Sequence, residues 1–550
     1  MKDWSTACPD WEDRIVARRS IVPVKPLFPE MAEDALTVFG ALRMVDATGS
    51  PLMRDACEPW VMELVAALFG AYDPDRQRRL ITTFFLMVSK KNGKSTIAAG
   101  VMLTALILNV RPSGEYIILA PTKEAADNAY KPIRDMINAN EDLAARFHEQ
   151  GHLRTVTDRL NQATLKVVAA DSATVTGKKA IGVFIDELWE FGNQAKAAAM
   201  LTEATGGLAS RPEGFIFYCT TQSDTPPAGV FKDKLSYARR VRDGVVVDKR
   251  FLPVIYEFPQ RMIEDGAYRD LANAYITNPN WGVSVDQEVI EQKYQEAQET
   301  GEGALRDFWA KHLNVEIGMN LRSDRWAGAD FWEQQARPGI TLDALISESD
   351  VIDVGIDGGG LDDLLGLAVL GRVGDKWKLW TKAYAHPSVM ERRKSEASRF
   401  EDFAKDGDLI LVKRVGEDVE DVADVIAQIH DSGKLDQVGT DPAGLGGILE
   451  ALESAGIPKE KIVGISQGWR LGGAIKTAER KLAEGVIEHS GSPMMAWCVG
   501  NARVEQRANS ILITKQASGF AKIDPLMATL NAVSLMALNP ASEQSFWDTE

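Results

Sequence analysis

The 550-residue chain carries 45% hydrophobic and 26% charged residues, the balance of an ordinary globular protein, and is too long for a single hydrophobic core. Its 62 basic against 79 acidic side chains leave a net charge of −17, which excludes a surface coated for nucleic acid while leaving room for a local basic channel. Four scattered cysteines (Cys8, Cys57, Cys219, Cys498) and six dispersed histidines exclude a disulfide framework and a zinc site, so a metal is expected on carboxylates and to be hard, magnesium or manganese.

The opening MKDWSTACPDWEDR has neither the basic region nor the apolar core of a signal peptide. No apolar run approaches the roughly 20 residues that span a bilayer, so a soluble, intracellular protein is expected. Residues 1–50 read as an arm with little periodicity. From Glu58, EPWVMELVAALFG has helical spacing. A strand over Ile81–Val88 then feeds a polar turn and a small-residue helix, Ser95–Leu108. Further strands are expected at Glu115–Ala120, Thr164–Ala170, Ile181–Ile185, Phe215–Thr221 and Phe251–Tyr256, with helices such as Glu124–Asn138 between them. Apolar strands alternating with helices predict an α/β domain with a mostly parallel sheet over residues 51–320.

The pattern weakens over 321–349, taken as the connection to a second domain at 350–540. There Val351–Asp357, Leu364–Gly371 and Trp377–Tyr384 read as strands, the last two joined by a turn. Strand Leu409–Val412, helix Val419–Ser432, strands Gln437–Asp441 and Lys461–Ser466 and a final helix within Ile523–Leu538 follow. Antiparallel strands first, then alternation, predict a mixed-sheet α/β domain. Residues 541–550 read as a tail.

Two sets of residues carry chemistry. The first is the strand–turn–helix Val88-Ser-Lys-Lys-Asn-Gly-Lys-Ser95, a phosphate cradle in which backbone N–H groups face phosphates, Lys94 neutralises them and Ser95 ligates magnesium. Val88 stands where the usual first glycine would be, and Gly-Lys-Ser alone also fits a plain strand-to-helix turn. Gly182-Val-Phe-Ile-Asp186-Glu187 supplies the second half: Asp186 to hold the magnesium through water and Glu187 to polarise the attacking water. Together they define a P-loop ATPase, with Lys90, Lys91, Asn92, Gly93, Lys94, Ser95 and Thr96 around the nucleotide and Thr221 placed to sense the γ-phosphate. The second set is Asp357, Asp441 and Asp524, acids on three elements that can converge on two divalent ions for phosphodiester cleavage. Asp363 is a further candidate ligand, with Asp362 beside it.

The arrangement resembles the large terminase subunit of tailed bacteriophages. The matching pieces are Lys90-Lys91-Asn92-Gly93-Lys94-Ser95, Val183-Phe-Ile-Asp-Glu187, Thr220-Thr221, Ala209-Ser-Arg-Pro212, Asn278-Pro-Asn-Trp281 and the three later acids. The resemblance spans about Glu58 to Ala537. It implies an ATPase followed by an RNase H-like nuclease with two magnesium or manganese ions, translocating double-stranded DNA and cutting concatemers. It also implies a portal protein, a small terminase subunit, a pentameric ring of this chain, no membrane, and the host cytoplasm. Lys90 stands where the family commonly has an arginine, and Val61 follows Pro59-Trp60 where it tends to have a glutamine, so adenine reading by that glutamine is not carried over. Arg211 is a candidate arginine finger for a neighbouring subunit and equally an ordinary surface arginine.

Smaller features have two readings each. Arg239-Arg240 with Arg242, and Arg392-Arg393-Lys394, suit either phosphate tracking or a solvated helix face. The Trp326–Trp332 stretch reads as interdomain packing, and Asn501 is given no chemistry. Two rival functions stay open: a P-loop helicase or translocase without nuclease activity, and a scaffold with decayed nucleotide motifs.

Overall fold

Eight strands build the first sheet: β1 (Thr83–Met87), β2 (Glu115–Ala120), β3 (Phe147–Gln150), β4 (Thr155–Asp158), β5 (Thr164–Ala169), β6 (Ala180–Ile185), β7 (Phe215–Thr220) and β8 (Phe251–Ile255). The computed structural model describes residues 4–170, 180–194, 197–317, 326–360, 363–393, 396–441, 445–507, 510–515 and 522–541. The chain divides into two units, Met1–Ile317 and Gly318–Glu550. Among the described residues no helix is long and apolar enough to cross a membrane.

In the first unit the strand order is β8-β1-β7-β6-β2-β5-β4-β3. The six strands from β8 to β5 run parallel, as their near-continuous apolar runs require of strands covered on both faces. Strands β3 and β4 add an antiparallel edge that the sequence reading did not contain. Each has a single apolar residue and is only four residues long, below the length at which periodicity separates strand from loop.

The arm is part of this unit. The backbone N–H of Cys8 donates to the Arg242 carbonyl (2.7 Å), and the Arg242 guanidinium lies 3.8 Å from the centre of the Trp11 ring. Helix Pro29–Ala41 packs against the helix that follows β1, α1 (Lys94–Ile107). Phe39 enters the space left by Gly100, where a Cβ would stand 2.7 Å from its ring.

The second unit holds β9 (Val351–Gly358), β10 (Leu365–Val373), β11 (Lys376–Ala385), β12 (Leu409–Leu411), β13 (Leu435–Thr440), β14 (Ile462–Gly464) and β15 (Ile487–His489). Their order is β12-β11-β10-β9-β13-β14, with β15 also paired to β11. Strands β9, β10 and β11 form an antiparallel meander, and the remaining pairings are parallel. The expected fold class therefore holds in both halves.

The last helix, α2 (Asp524–Met536), lies directly on β9 and β10. A Cβ on Gly355 would fall 1.9 Å from the Ala528 carbonyl oxygen, and one on Gly366 would fall 2.7 Å from the Asp524 carbonyl carbon. Only glycine at both places lets helix and sheet meet backbone to backbone.

Residues 326–349, expected as a connection, pack into this second unit. Trp326 and Trp332 are each 1% exposed within its core, and Trp332 stacks on His489 with ring centres 4.0 Å apart. The interdomain role expected for these tryptophans is replaced by burial of two large indoles in the core of one domain.

Candidate active sites

The phosphate-cradle loop leaves β1 at Met87 and enters α1 at Lys94. Lys91 and Gly93 take left-handed backbone (φ 73° and 77°), which turns the chain sharply enough for the helix to start at Lys94. Asn92, expected among the nucleotide-binding residues, turns its side chain inward. Its amide Nδ2 donates to the Ser89 carbonyl (3.1 Å) and to Asn278 Oδ1 (2.9 Å), while its Oδ1 accepts from the Asn280 backbone N–H (3.1 Å). Asn280 Oδ1 in turn accepts from the Trp60 indole (2.7 Å). The Asn278-Pro-Asn-Trp281 segment thus braces the loop from behind, and Asn92 offers a phosphate only its backbone. Lys90 is half-buried, with its N–H on the Lys311 carbonyl (2.8 Å). Ser95 is exposed in the first turn of α1; with Thr96, Val45, Asp46, Asn128 and Lys131 it lines a cavity of about 220 Å³.

Neighbouring strands bring the other groups to the same edge. Strand β7 lies between β1 and β6, pairing Thr220 with Met87 and Tyr218 with Ile185, so Asp186, Glu187 and Thr221 all follow strand ends beside the loop. Asp186 is 5% exposed, and burial next to Glu187 pushes its carboxyl well above the usual range, opposed by Lys94. Glu187 is held in left-handed backbone (φ 46°), a conformation a glutamate rarely adopts and one that recurs at functional sites. Its Oε1 lies 3.7 Å from Lys94 Nζ; its Oε2 accepts from the Trp189 indole (2.8 Å) and the Thr221 hydroxyl (3.4 Å). Lys94 Nζ also reaches the carbonyls of Val88 and Ser89, each at 3.5 Å.

Trp189 and Lys311 were missed by sequence reasoning. Lys311 lies near the end of helix Glu302–Leu313, where its lysine reads as one more charge on an amphipathic surface. Folding instead buries it to 7% exposure, and burial lowers its pKa to about 8 with Asp224 opposing the shift. No local signal distinguishes such a lysine.

Other basic residues are placed away from this edge. Arg211 precedes β7 at the end opposite Thr220. Arg239 pairs with Glu257 (2.6 Å) and Glu316 (2.7 Å), and Arg242 with Glu257 (2.5 Å). Buried Glu257 claims both guanidinium groups, so neither the phosphate-tracking nor the solvated-face reading holds for this pair; Arg240 alone is exposed.

In the second unit, Asp357 sits opposite Gly366 near the end of β9. Ile356 pairs in parallel with Thr440, so Asp441 leaves β13 beside Asp357. Asp524 opens α2 above the same strand ends, where a Cβ on Gly358 would stand 3.3 Å from its Oδ1. Two amides fix the surrounding backbone: Asn531 donates to the Ile356 carbonyl (2.9 Å), and Asn501 to the Lys522 carbonyl (3.1 Å). Asn501 therefore holds the segment leading into Asp524.

Asp363, expected as a further ligand, receives the ammonium of Lys522, a lysine with no exposed surface. That pairing commits it to neutralising a buried charge. Asp362 and Lys394 lie outside the described residues. Among the described residues no group of three or more His, Cys, Asp or Glu has the spacing to hold a metal ion. The three acids share one end of one sheet without forming a coordination sphere.

Two family models match the chain: "Terminase large subunit, ATPase domain" over residues 59–240, and "Terminase large subunit, endonuclease domain" over 253–539. The second match begins inside the first structural unit. The chain is similar to the terminase large subunit of Lactococcus phage p2, 22% identical over 494 residues that cover 86% of each chain. It is 20% identical to that of Enterobacteria phage HK97 over 82% of this chain and 84% of that one. The crystal structure of the HK97 large terminase aligns over 92% of this chain and 99% of its own, with a TM-score of 0.49 and 17% identity.

Proposed function

The chain belongs to the family of terminase large subunits, the ATPase–endonucleases of phage DNA packaging, and from that membership we propose a division of labour among its own residues. At the first site Lys94 neutralises the ATP phosphates and Glu187 takes the role of general base, orienting and polarising the attacking water. Ser95 and Asp186 would hold magnesium there; a buried aspartate whose carboxyl is pushed up by its surroundings fits a place where a cation belongs. When bound, that ion offsets charge on the phosphates. Lys90, Lys91, Gly93 and Thr96 complete the loop, and Thr221 links its state to the next strand.

The observation that carries this reading is the grip on Glu187, whose carboxylate is set between Lys94, Trp189 and Thr221 at the strand edge beside the phosphate loop. Lys94→Ala should eliminate ATP hydrolysis by the full chain, and a variant that hydrolyses ATP as fast as the parent would reject the assignment.

At the second site we assign DNA cutting to Asp357, Asp441 and Asp524. Their all-oxygen donor set is of the kind that would hold two magnesium or manganese ions if the acids draw closer than they stand here, and such ions would activate water and stabilise the leaving oxygen. Double-stranded DNA as the substrate, a portal protein and a small terminase subunit as partners, a pentameric ring and the host cytoplasm are proposed on family membership. A plasmid-cutting assay with and without added divalent metal tests the nuclease half; metal-independent cutting would argue against it.

A further inference from the structure

We propose that Trp189 and Lys311 are positioning residues for Glu187: the indole N–H aims the carboxylate, and the ammonium of Lys311 fixes and polarises the indole from its face. The proposal rests on Glu187 as the base of ATP hydrolysis.

Left-handed Glu187 carries its side chain away from the line of β6, and it is part-exposed, so a carboxylate there needs donors to hold one orientation. Of its three polar neighbours the Trp189 indole is the nearest, at 2.8 Å, against 3.4 Å for Thr221 and 3.7 Å for Lys94. Lys94 is also the group a nucleotide would engage, which leaves the indole as the shorter of the two donors that persist.

Lys311 then accounts for why that indole stays in place. Its Nζ lies 3.0 Å from the centre of the Trp189 ring, donates to the Gln222 carbonyl at 3.1 Å and stands 3.5 Å from Asp224 Oδ2. A nearly buried ammonium is costly, and stacked on an indole it is attracted by the ring's negative face. Electron density drawn toward the cation makes the indole N–H a stronger donor to the carboxylate.

Both residues are anchored independently of this contact. The Trp189 backbone N–H donates to the Thr220 hydroxyl (3.0 Å), and the Lys311 carbonyl accepts from the Lys90 backbone N–H in the phosphate loop (2.8 Å). Three chain segments distant in sequence thus converge on the orientation of one carboxylate. Because each acts through Glu187, the effect belongs to turnover and not to nucleotide capture.

The test is steady-state ATP hydrolysis by the full chain, together with affinity for a fluorescent ATP analogue. Trp189→Phe keeps the ring and removes the N–H, Lys311→Met keeps the stem and removes the charge, and Lys311→Arg restores it. Trp189→Phe and Lys311→Met should each lower kcat by roughly 10-fold or more with KM within about 3-fold of the parent, and Lys311→Arg should recover most of the loss. Parent-like kcat in Trp189→Phe, an equal loss in Lys311→Arg and Lys311→Met, or a loss confined to KM overturns the proposal. Should Trp189→Phe fail to fold, the Lys311 pair decides alone. Glu187→Gln separates the two levels: if it turns over at the parent rate, the base assignment itself is wrong; if it is inactive while Trp189→Phe is unaffected, only the positioning role is.

Discussion

Lys94 and Glu187 face each other across the first site, Nζ to Oε1 at 3.7 Å, so the cation proposed for phosphate and the carboxylate proposed for water are ion-pair partners. On that proposal ATP would offer Lys94 a stronger anion and release it from Glu187. Glu187→Gln should therefore retain ATP binding while kcat falls by about 10²- to 10⁴-fold, the span of general base catalysis. Binding of a fluorescent analogue and steady-state turnover check both halves; a variant that neither binds nor hydrolyses would place Glu187 in nucleotide capture instead.

The residues proposed for the two activities follow strands of different sheets, β1–β8 and β9–β15, with no acid in common. Asp357→Ala should abolish plasmid cutting and leave ATP hydrolysis within about 2-fold of the parent, the behaviour of independent sites. Loss of both activities in a folded variant would count against separate sites.

The amide brace predicts a different phenotype. Asn278→Ala removes the acceptor for Asn92 and the donor to the Ala274 and His312 carbonyls. Buried polar groups left without partners cost about 1–3 kcal/mol each, part of which should appear as a looser loop. KM for ATP should rise several-fold, with a lower melting temperature. An unchanged KM would show that the loop keeps its shape without the brace.

Lys522 gives a stability test. It has no exposed surface, whereas Asp363 keeps about a third of its own. Asp363→Ala leaves a buried ammonium without that counter-charge. Breaking a fully buried pair costs about 3–5 kcal/mol, and partial exposure of the acid lowers the expectation to about 2 kcal/mol. Denaturant unfolding of the full chain reads this; a change below about 0.5 kcal/mol would return Asp363 to the pool of candidate ligands.

The second sheet also carries a pH dependence. Burial, with Asp436 nearby, raises the Asp353 carboxyl to about 8. Its folded pKa lies above the unfolded one, so its contribution is complete below the ordinary carboxyl range and is lost as pH rises through about 8. Asp353→Asn keeps an acceptor for the Gln437 N–H and cannot ionise. The variant should melt higher than the parent at pH 9, with a smaller difference at pH 5; equal melting curves at both would refute this.

Much of the architecture was readable from local pattern. Strand Glu115–Ala120 was expected over the residues it occupies, and Ile181–Ile185 within one residue, because an apolar run ended by polar residues marks a buried parallel strand. What escaped lacked such contrast. Strands β3 and β4 are short and mixed in polarity. The arm helix Pro29–Ala41 buries Ala32, Ala35, Phe39 and Gly40, three small residues and one phenylalanine whose partner surface is made elsewhere in the chain. Arg239 and Arg242 read as a basic face because Glu257 and Glu316, which neutralise them, are 15 to 77 residues away.

The sequence alone located the groups proposed for chemistry in each half: the phosphate-cradle turn, Asp186-Glu187 at a strand end, and acids at 357, 441 and 524. These are local facts, since a turn, a strand terminus or a helix start needs only a few neighbouring residues. Only the tertiary structure decided which groups serve one another. It turned Asn92 inward onto Asn278, paired Asp363 with Lys522, and brought Lys311 over Trp189 from 122 residues away. Such pairings depend on burial, which desolvates a charge and obliges it to find a partner, and burial exists only once the sheets and helices have closed around it.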